Sequence, residues 1–255
     1  MRGFLAGARL ERWVMLGNPD ALIPFFTAPL FTIIFLMIVR HGGRHDLQPD
    51  ALLAPVLMTL WWFALYHGGT LIGGDRWQGM LEWILAAPAT LASVLLGRIS
   101  FIMAVGSLGF FEVWAVGRVL FGVSFPFEHP LALALTLLAT LFTMAATSTL
   151  IAGLFVLTRN AFTFANSASF PFYVLGGVFV PVAILPGWIR PVSSVVFMSW
   201  SADLLRATLR PAPIHDLWGR LAIVIAFGVV TFALARLVLH WVLGRMRTTG
   251  ELAAA

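Results

Sequence analysis

From Ala21 to Val39 the chain carries no formally charged residue. About 20 apolar residues cross a bilayer as a helix, and in hydrocarbon a helix is one of the few structures that satisfies its own backbone hydrogen bonds. No other feature restricts the fold as strongly, and the run is repeated along the sequence. Ala51 to Gly74 has only His67 as an ionisable group, Leu91 to Gly117 holds Arg98 and Glu112, and Pro130 to Thr158 is again free of charge. Asn160 to Ile189 is long and apolar but interrupted by Pro171, Pro181 and Pro186. Leu221 to Gly244 carries Arg236 and His240 near its end, where an arginine snorkels to the headgroups. Composition agrees: 60% hydrophobic and 11% charged over 255 residues, with mean hydropathy +0.94, is far from the balance of a water-soluble domain. The expected fold is all-α, a single polytopic membrane domain over residues 1–255 with six transmembrane helices and both termini on one side.

Arginine asymmetry sets the expected orientation. Arg2, Arg9, Arg12, Arg76, Arg159, Arg245 and Arg247 fall on one side and Arg40, Arg44 and Arg118 on the other, which places the termini in the cytoplasm. The connection after the fifth run adds Arg190, Arg206, Arg210 and Arg220 to the outside and is discounted because it reads as structured. The first apolar run is too long for a signal-peptide core and reads as a retained span. Ahead of it, Phe4 to Met15 reads as a helix whose Arg2, Arg9 and Arg12 share one arc, suited to the membrane surface.

What the chain lacks excludes several chemistries. All sixteen basic residues are arginine, so a Walker A loop, a Schiff-base lysine and a lysine general base are impossible here. There is no cysteine, hence no disulfide, thiolate zinc site or cysteine nucleophile. The net charge of +5 is spread singly between apolar runs, which argues against nucleic acid. His41, His45 and Asp46 flank the loop-forming Gly42 and Gly43, and a metal site is the weaker reading. An intramembrane serine protease needs a Gly-x-Ser-Gly loop, and the GVSF stretch at Gly122 lacks its last glycine.

Gly73 to Thr90, GGDRWQGMLEWILAAPAT, is a charged island between spans. Gly73 and Gly74 read as the end of the second span and Pro88 as a helix stop. Between them a short helix has Met80, Trp83, Ile84 and Ala87 as an apolar stripe, with Asp75, Arg76 and Glu82 facing elsewhere. Gly79, Leu81, Glu82, Leu85 and Pro88 match the G-T-L-E-x-L-L-x-x-P signature of type 2 ATP-binding-cassette (ABC) permeases, and the segment resembles that family's coupling helix, with Met80 in place of the usual threonine. GGVFVPVAILPGWIRPV, Gly176 to Val192, resembles the family's re-entrant extracellular turn in the fifth span. FMSWSADLLRATL, Phe197 to Leu209, resembles the amphipathic helix after it, with Asp203 and Arg206 in the usual acidic and arginine places.

The resemblance implies an ABC-2 permease of the bacterial inner membrane, exporting a drug-like, lipid-linked or saccharide amphiphile. It implies no cofactor in this chain, ATP and Mg being bound by a separate ATPase subunit, and a second permease chain, either identical or a sister. It also implies roles: Arg76, Gly79, Met80, Glu82, Trp83, Ile84 and Pro88 couple to the ATPase, while Tyr66, Asn166, Ser169, Tyr173 and Phe179 border the translocation pathway. The competing class is a proton-coupled secondary transporter working through Glu112 or His67.

Other polar residues read mainly as packing. Arg98 and Glu112 are expected to cap opposite ends of the third span, and His67 to be satisfied between helices. Small residues at Gly69 and Gly73, and at Ala145, Thr149 and Gly153, are expected to let helices approach. Asn166, Ser167, Ser169 and Tyr173 form a polar patch that either bonds neighbouring helices or lines a route.

Overall fold

The computed structural model describes residues 2–87, 89–156 and 161–249, and these are helical with short connections. A surface helix α1 (Arg2–Gly17) leads through a 3-10 turn into α2 (Ile23–His41). The second span is α3 (Gln48–Trp62), a π-helical segment (Phe63–Gly68) and α4 (Gly69–Trp77) in one continuous rod. Then come the short α5 (Met80–Ala86) and the long α6 (Leu91–Phe121) and α7 (Pro130–Phe155). α8 (Ala161–Leu175), α9 (Arg190–Ser194) and α10 (Phe197–Thr208) precede the final α11 (Leu217–Thr249).

Among the described residues, five helical stretches are long and apolar enough to cross a membrane: Pro19–His41, His45–Arg76, Leu91–Phe121, Pro130–Phe155 and Leu217–Val242. The chain is a multi-pass membrane protein. The second stretch is the hub: 78% of its apolar 18-residue segment is buried inside the chain, against 22% for those of the first and the last. The expected fifth span behaves differently. α8 has 15 residues, or about 22 Å at 1.5 Å per residue, short of a ~30 Å hydrocarbon core. Its early residue Phe164 touches Phe155 at the end of α7, while the turn after it is held by Arg206 of α10. Leu157 to Asn160, including Arg159, lie outside the described residues.

Two sequence expectations change at the start of the bundle. Gly73 and Gly74 do not end the second span; α4 runs through them to Trp77 and carries Asp75 inward. Arg98 does not cap α6 but lies buried beneath α1, where its Nε donates to Glu11 Oε2 at 2.7 Å and its Nη1 to Asp75 Oδ2 at 2.5 Å. One guanidinium thus joins three helices. α1 reaches this depth because Gly3, Gly7, Glu11 and Met15 recur every four residues on the face turned to α6. A methyl on Gly7 would strike the Val94 backbone, and one on Gly97 would strike the Phe4 backbone. The two helices therefore meet main chain to main chain, the close approach that small residues permit.

At the opposite end α10 plays a similar part. Arg206 is buried and its Nη2 donates to the carbonyls of Gly177 and, at 3.1 Å, Val178, while Nε lies 3.6 Å from Asp50 at the start of α3. Asp203 turns outward and pairs with Arg220 of α11 at 2.5 Å. α7 and α11 pack along their length: Gly153 meets Val238 and Leu239, and Thr143 Oγ1 donates across to the Val224 carbonyl at 2.9 Å. Gly153 and Gly69, which faces Ile151 and Phe155, act as the expected contact points, whereas Gly73 meets nothing.

Deleting one partner from a buried ion cluster strands the others and costs about 3–5 kcal/mol. Arg98→Met should therefore lower the detergent-solubilised protein's unfolding midpoint strongly, read by tryptophan fluorescence, and Glu11→Gln only slightly, since Asp75 still answers the guanidinium. A midpoint for Arg98→Met equal to the parent's would show that the cluster holds nothing. Burial raises the Glu11 carboxyl above the ordinary glutamate range, with Arg98 offsetting part of that. The folded chain then binds more protons than the unfolded one between the two values, so this group's contribution is present at low pH and lost as pH rises through that window. Glu11→Gln should flatten that fall.

Candidate functional site

α5 is built as a bent handle. Gly79 sits between α4 and α5 at φ +66°, with its N–H on the Arg76 carbonyl at 3.1 Å, and the Gln78 N–H bonds Gly74 at 3.0 Å. A left-handed residue closes α4 in the manner of a helix C-cap and lets the chain restart at once in a new direction. α5 then anchors itself by Leu81 and Ile84, both buried in the bundle core. Glu82 and Trp83 face outward, Trp83 being 81% exposed. Met80 and Arg76 are half-buried.

This corrects the stripe read from the sequence. Ile84 belongs to the bundle's own core, so the outward surface is Glu82 and Trp83, with Met80 at its edge. Asp75 is not on that surface at all. Gly79 is required by its backbone angle, not by close approach, since nothing lies within 4 Å of where a Cβ would stand. Pro88 lies outside the described residues.

The five residues assigned to a pathway fall into two contacting pairs, Tyr66 with Asn166 and Tyr173 with Phe179, with Ser169 between them along α8. Tyr66, on the π-helical segment, donates its hydroxyl to Asn166 Oδ1 of α8 and stacks on Trp62 at 5.1 Å. Four residues before Tyr173, Ser169 is buried and bonds its own helix at the Ala165 carbonyl, 2.9 Å away. Tyr173 reaches the Met58 carbonyl at 3.5 Å and its ring meets Phe179 at 5.4 Å. Phe179 in turn contacts Phe35 of α2 at 6.0 Å. The first span, the second span and α8 thus converge on these side chains. Asn166 and Ser167 are nevertheless exposed, and Ser167 donates back to the Thr163 carbonyl at 3.0 Å.

Among the side chains with a buried atom that finds no hydrogen-bond partner among the described residues are His67 and Glu112. His67 stacks on Phe63 at 5.5 Å and meets Trp62 edge-on at 5.1 Å, but its buried Nε2 has no hydrogen-bond partner. Its contacts between helices are aromatic, and no hydrogen bond to Nε2 is found among the described residues. Glu112 does not cap an end of α6; it sits nine residues before Phe121, half-buried, with its Oε2 unpartnered. Sequence reasoning missed Glu11, although its place four residues after Gly7, on the glycine face of an otherwise basic helix, marked it as inward.

The described residues form an all-helical bundle with a central span, a protruding bent handle and polar side chains gathered at mid-bundle. The family model described as ABC-2 type transporter matches residues 4–209, from α1 through α10, and the chain belongs to that family. A comparison with curated proteins finds no match.

The backbone angle at Gly79 is testable by contrast with Gly73, which is helical and has open space around its Cβ position. Gly79→Ala should cost about 1–2 kcal/mol for holding an L-residue in the left-handed region. Gly73→Ala should be neutral or gain up to ~1 kcal/mol. Thermal unfolding of both variants checks the pair; equal effects would remove the strain argument.

Proposed function

We propose that this chain is the permease subunit of an ATP-driven exporter. In this reading α8 and the turn after it complete a sixth, broken span, and the termini face the cytoplasm of a bacterial cell. Two such chains, identical or sister, enclose the pathway, and separate ATPase subunits bind ATP and Mg. The single observation carrying the reading is the form of α5. Leu81 and Ile84 root it in the bundle while Glu82 and Trp83 project, so a push on the outer face is delivered to the second span through the Gly79 elbow. The absence of lysine fits a subunit that leaves hydrolysis to a partner.

The surface of α8 supports a second chain or a lined passage beside it. Exposed polar groups in mid-membrane need water or protein as cover, and Asn166 and Ser167 are placed so. Aromatic rings flanked by a hydroxyl and an amide, as at Trp62, Tyr66 and Asn166, suit an amphiphilic cargo. Glu112 and His67 keep alive one competing reading, a proton-coupled carrier, because each has an unpartnered buried atom.

Co-expression with the ATPase decides between them. The parent should co-purify with it as an assembly holding two permease chains and should move cargo in proteoliposomes only with ATP. Glu82→Arg, and separately Trp83→Ala, should weaken ATPase association at least severalfold while leaving the permease's own unfolding midpoint near the parent's, because an exposed charge contributes little to stability. Parent-like binding by both variants would show that α5 is not the contact, and transport driven by a proton gradient without ATPase would replace the reading altogether.

A further inference from the structure

We propose that the outward face of α1 binds anionic phospholipid headgroups, clamping the helix to the membrane boundary. At 100° per residue, the face opposite the glycine seam gathers Arg2, Leu5, Arg9, Arg12, Trp13 and Leu16 into an arc of about 100°. All six are exposed: Leu5 51%, Trp13 66% and Leu16 74% among them. This differs from a simple amphipathic helix, whose charges and apolar groups take opposite sides. Here the side opposite the protein contact carries both, and the Arg12 guanidinium lies 5.4 Å over the Trp13 ring.

Such a mixture needs surroundings that offer hydrocarbon and negative charge at one depth. The headgroup and upper acyl layer of a bilayer does so. The position of α1 agrees. α6 has 31 residues, about 46 Å, so it overshoots a ~30 Å core, and α1 packs on its first two turns, around Ser93 to Arg98. At its other end α1 passes directly into the first span, which begins at Pro19. A second copy on this face would bring the same three guanidinium groups, and zwitterionic lipid offers no net charge to meet them. The inference goes beyond the export reading and does not depend on it.

The full chain would be reconstituted in nanodiscs of phosphatidylcholine alone and of equimolar phosphatidylcholine and phosphatidylglycerol. Hydrogen–deuterium exchange then reports the opening of residues 2–17. Each arginine near an anionic surface contributes about 1 kcal/mol, or about fivefold. Phosphatidylglycerol should therefore slow exchange over α1 in the parent, and Arg9→Gln/Arg12→Gln should lose roughly 25-fold of that slowing, with exchange in α3 and α6 unchanged. Raising salt on the parent should shrink the difference between the two lipids, an arm that needs no variant. Equal α1 exchange in both lipids would overturn the proposal. So would protection that appears only when the ATPase is added and ignores lipid charge, which would assign this face to that protein.

Discussion

The Arg98 guanidinium, shared between Glu11 and Asp75, fixes the geometry of the whole end of the bundle that carries α5. Placing three ionic groups out of water is costly, and attraction repays it only when the geometry is good. The planar fork of arginine supplies that geometry, since separate nitrogens address separate carboxylates. Its partners come from α1 and α4, so the surface helix, the second span and α6 are placed relative to one another by a single side chain. The glycine seam between α1 and α6 makes the approach possible, but apolar contact alone would let the helices slide. Arg206 answers at the far end by holding two carbonyls beyond α8 while facing Asp50.

The consequence for α5 is mechanical. A short helix joined to a rigid rod by one left-handed glycine rotates about that residue more readily than it bends. Leu81 and Ile84 limit the rotation by seating it in the core. In the proposed reading, displacement of the outer face at Trp83 reaches α4, and through Asp75 it also loads α6 and α1. The five residues assigned to a pathway, from Tyr66 to Phe179, sit further along the same rod, on its neighbour α8 and in the turn after it.

Charge-free runs made the long helices legible, since apolar length is a local property. α2, α6, α7 and α11 appear where the runs are, and the family motifs point to α5. The ion cluster was not legible, because Glu11 is 87 residues from Arg98 and Asp75 is 23; each charge alone resembles a boundary residue. The α5 stripe was misread for a related reason. A helix of seven residues shows its apolar side without saying which apolar residue turns inward, so Leu81 and Ile84 against Trp83 is settled only by what packs around them. Asn166 and Tyr173 were picked out by polarity, but that Tyr66 rather than His67 would answer Asn166 depends on the helical phase at that point.

That phase is the work of the wide turn from Phe63 to Gly68. A π turn holds one residue more than an α turn would, so everything after it is set back by one position, about 100° of rotation. The second span is in effect two helices joined out of step, like a shaft with an offset keyway. Tyr66 lies within the offset and Asp75 beyond it, and each faces its partner only because the lag is there. Tightening the turn into regular α-helix would swing Asp75 by about a quarter turn away from Arg98, so the mid-bundle aromatic contacts and the ion cluster at the end of the bundle share one angular setting.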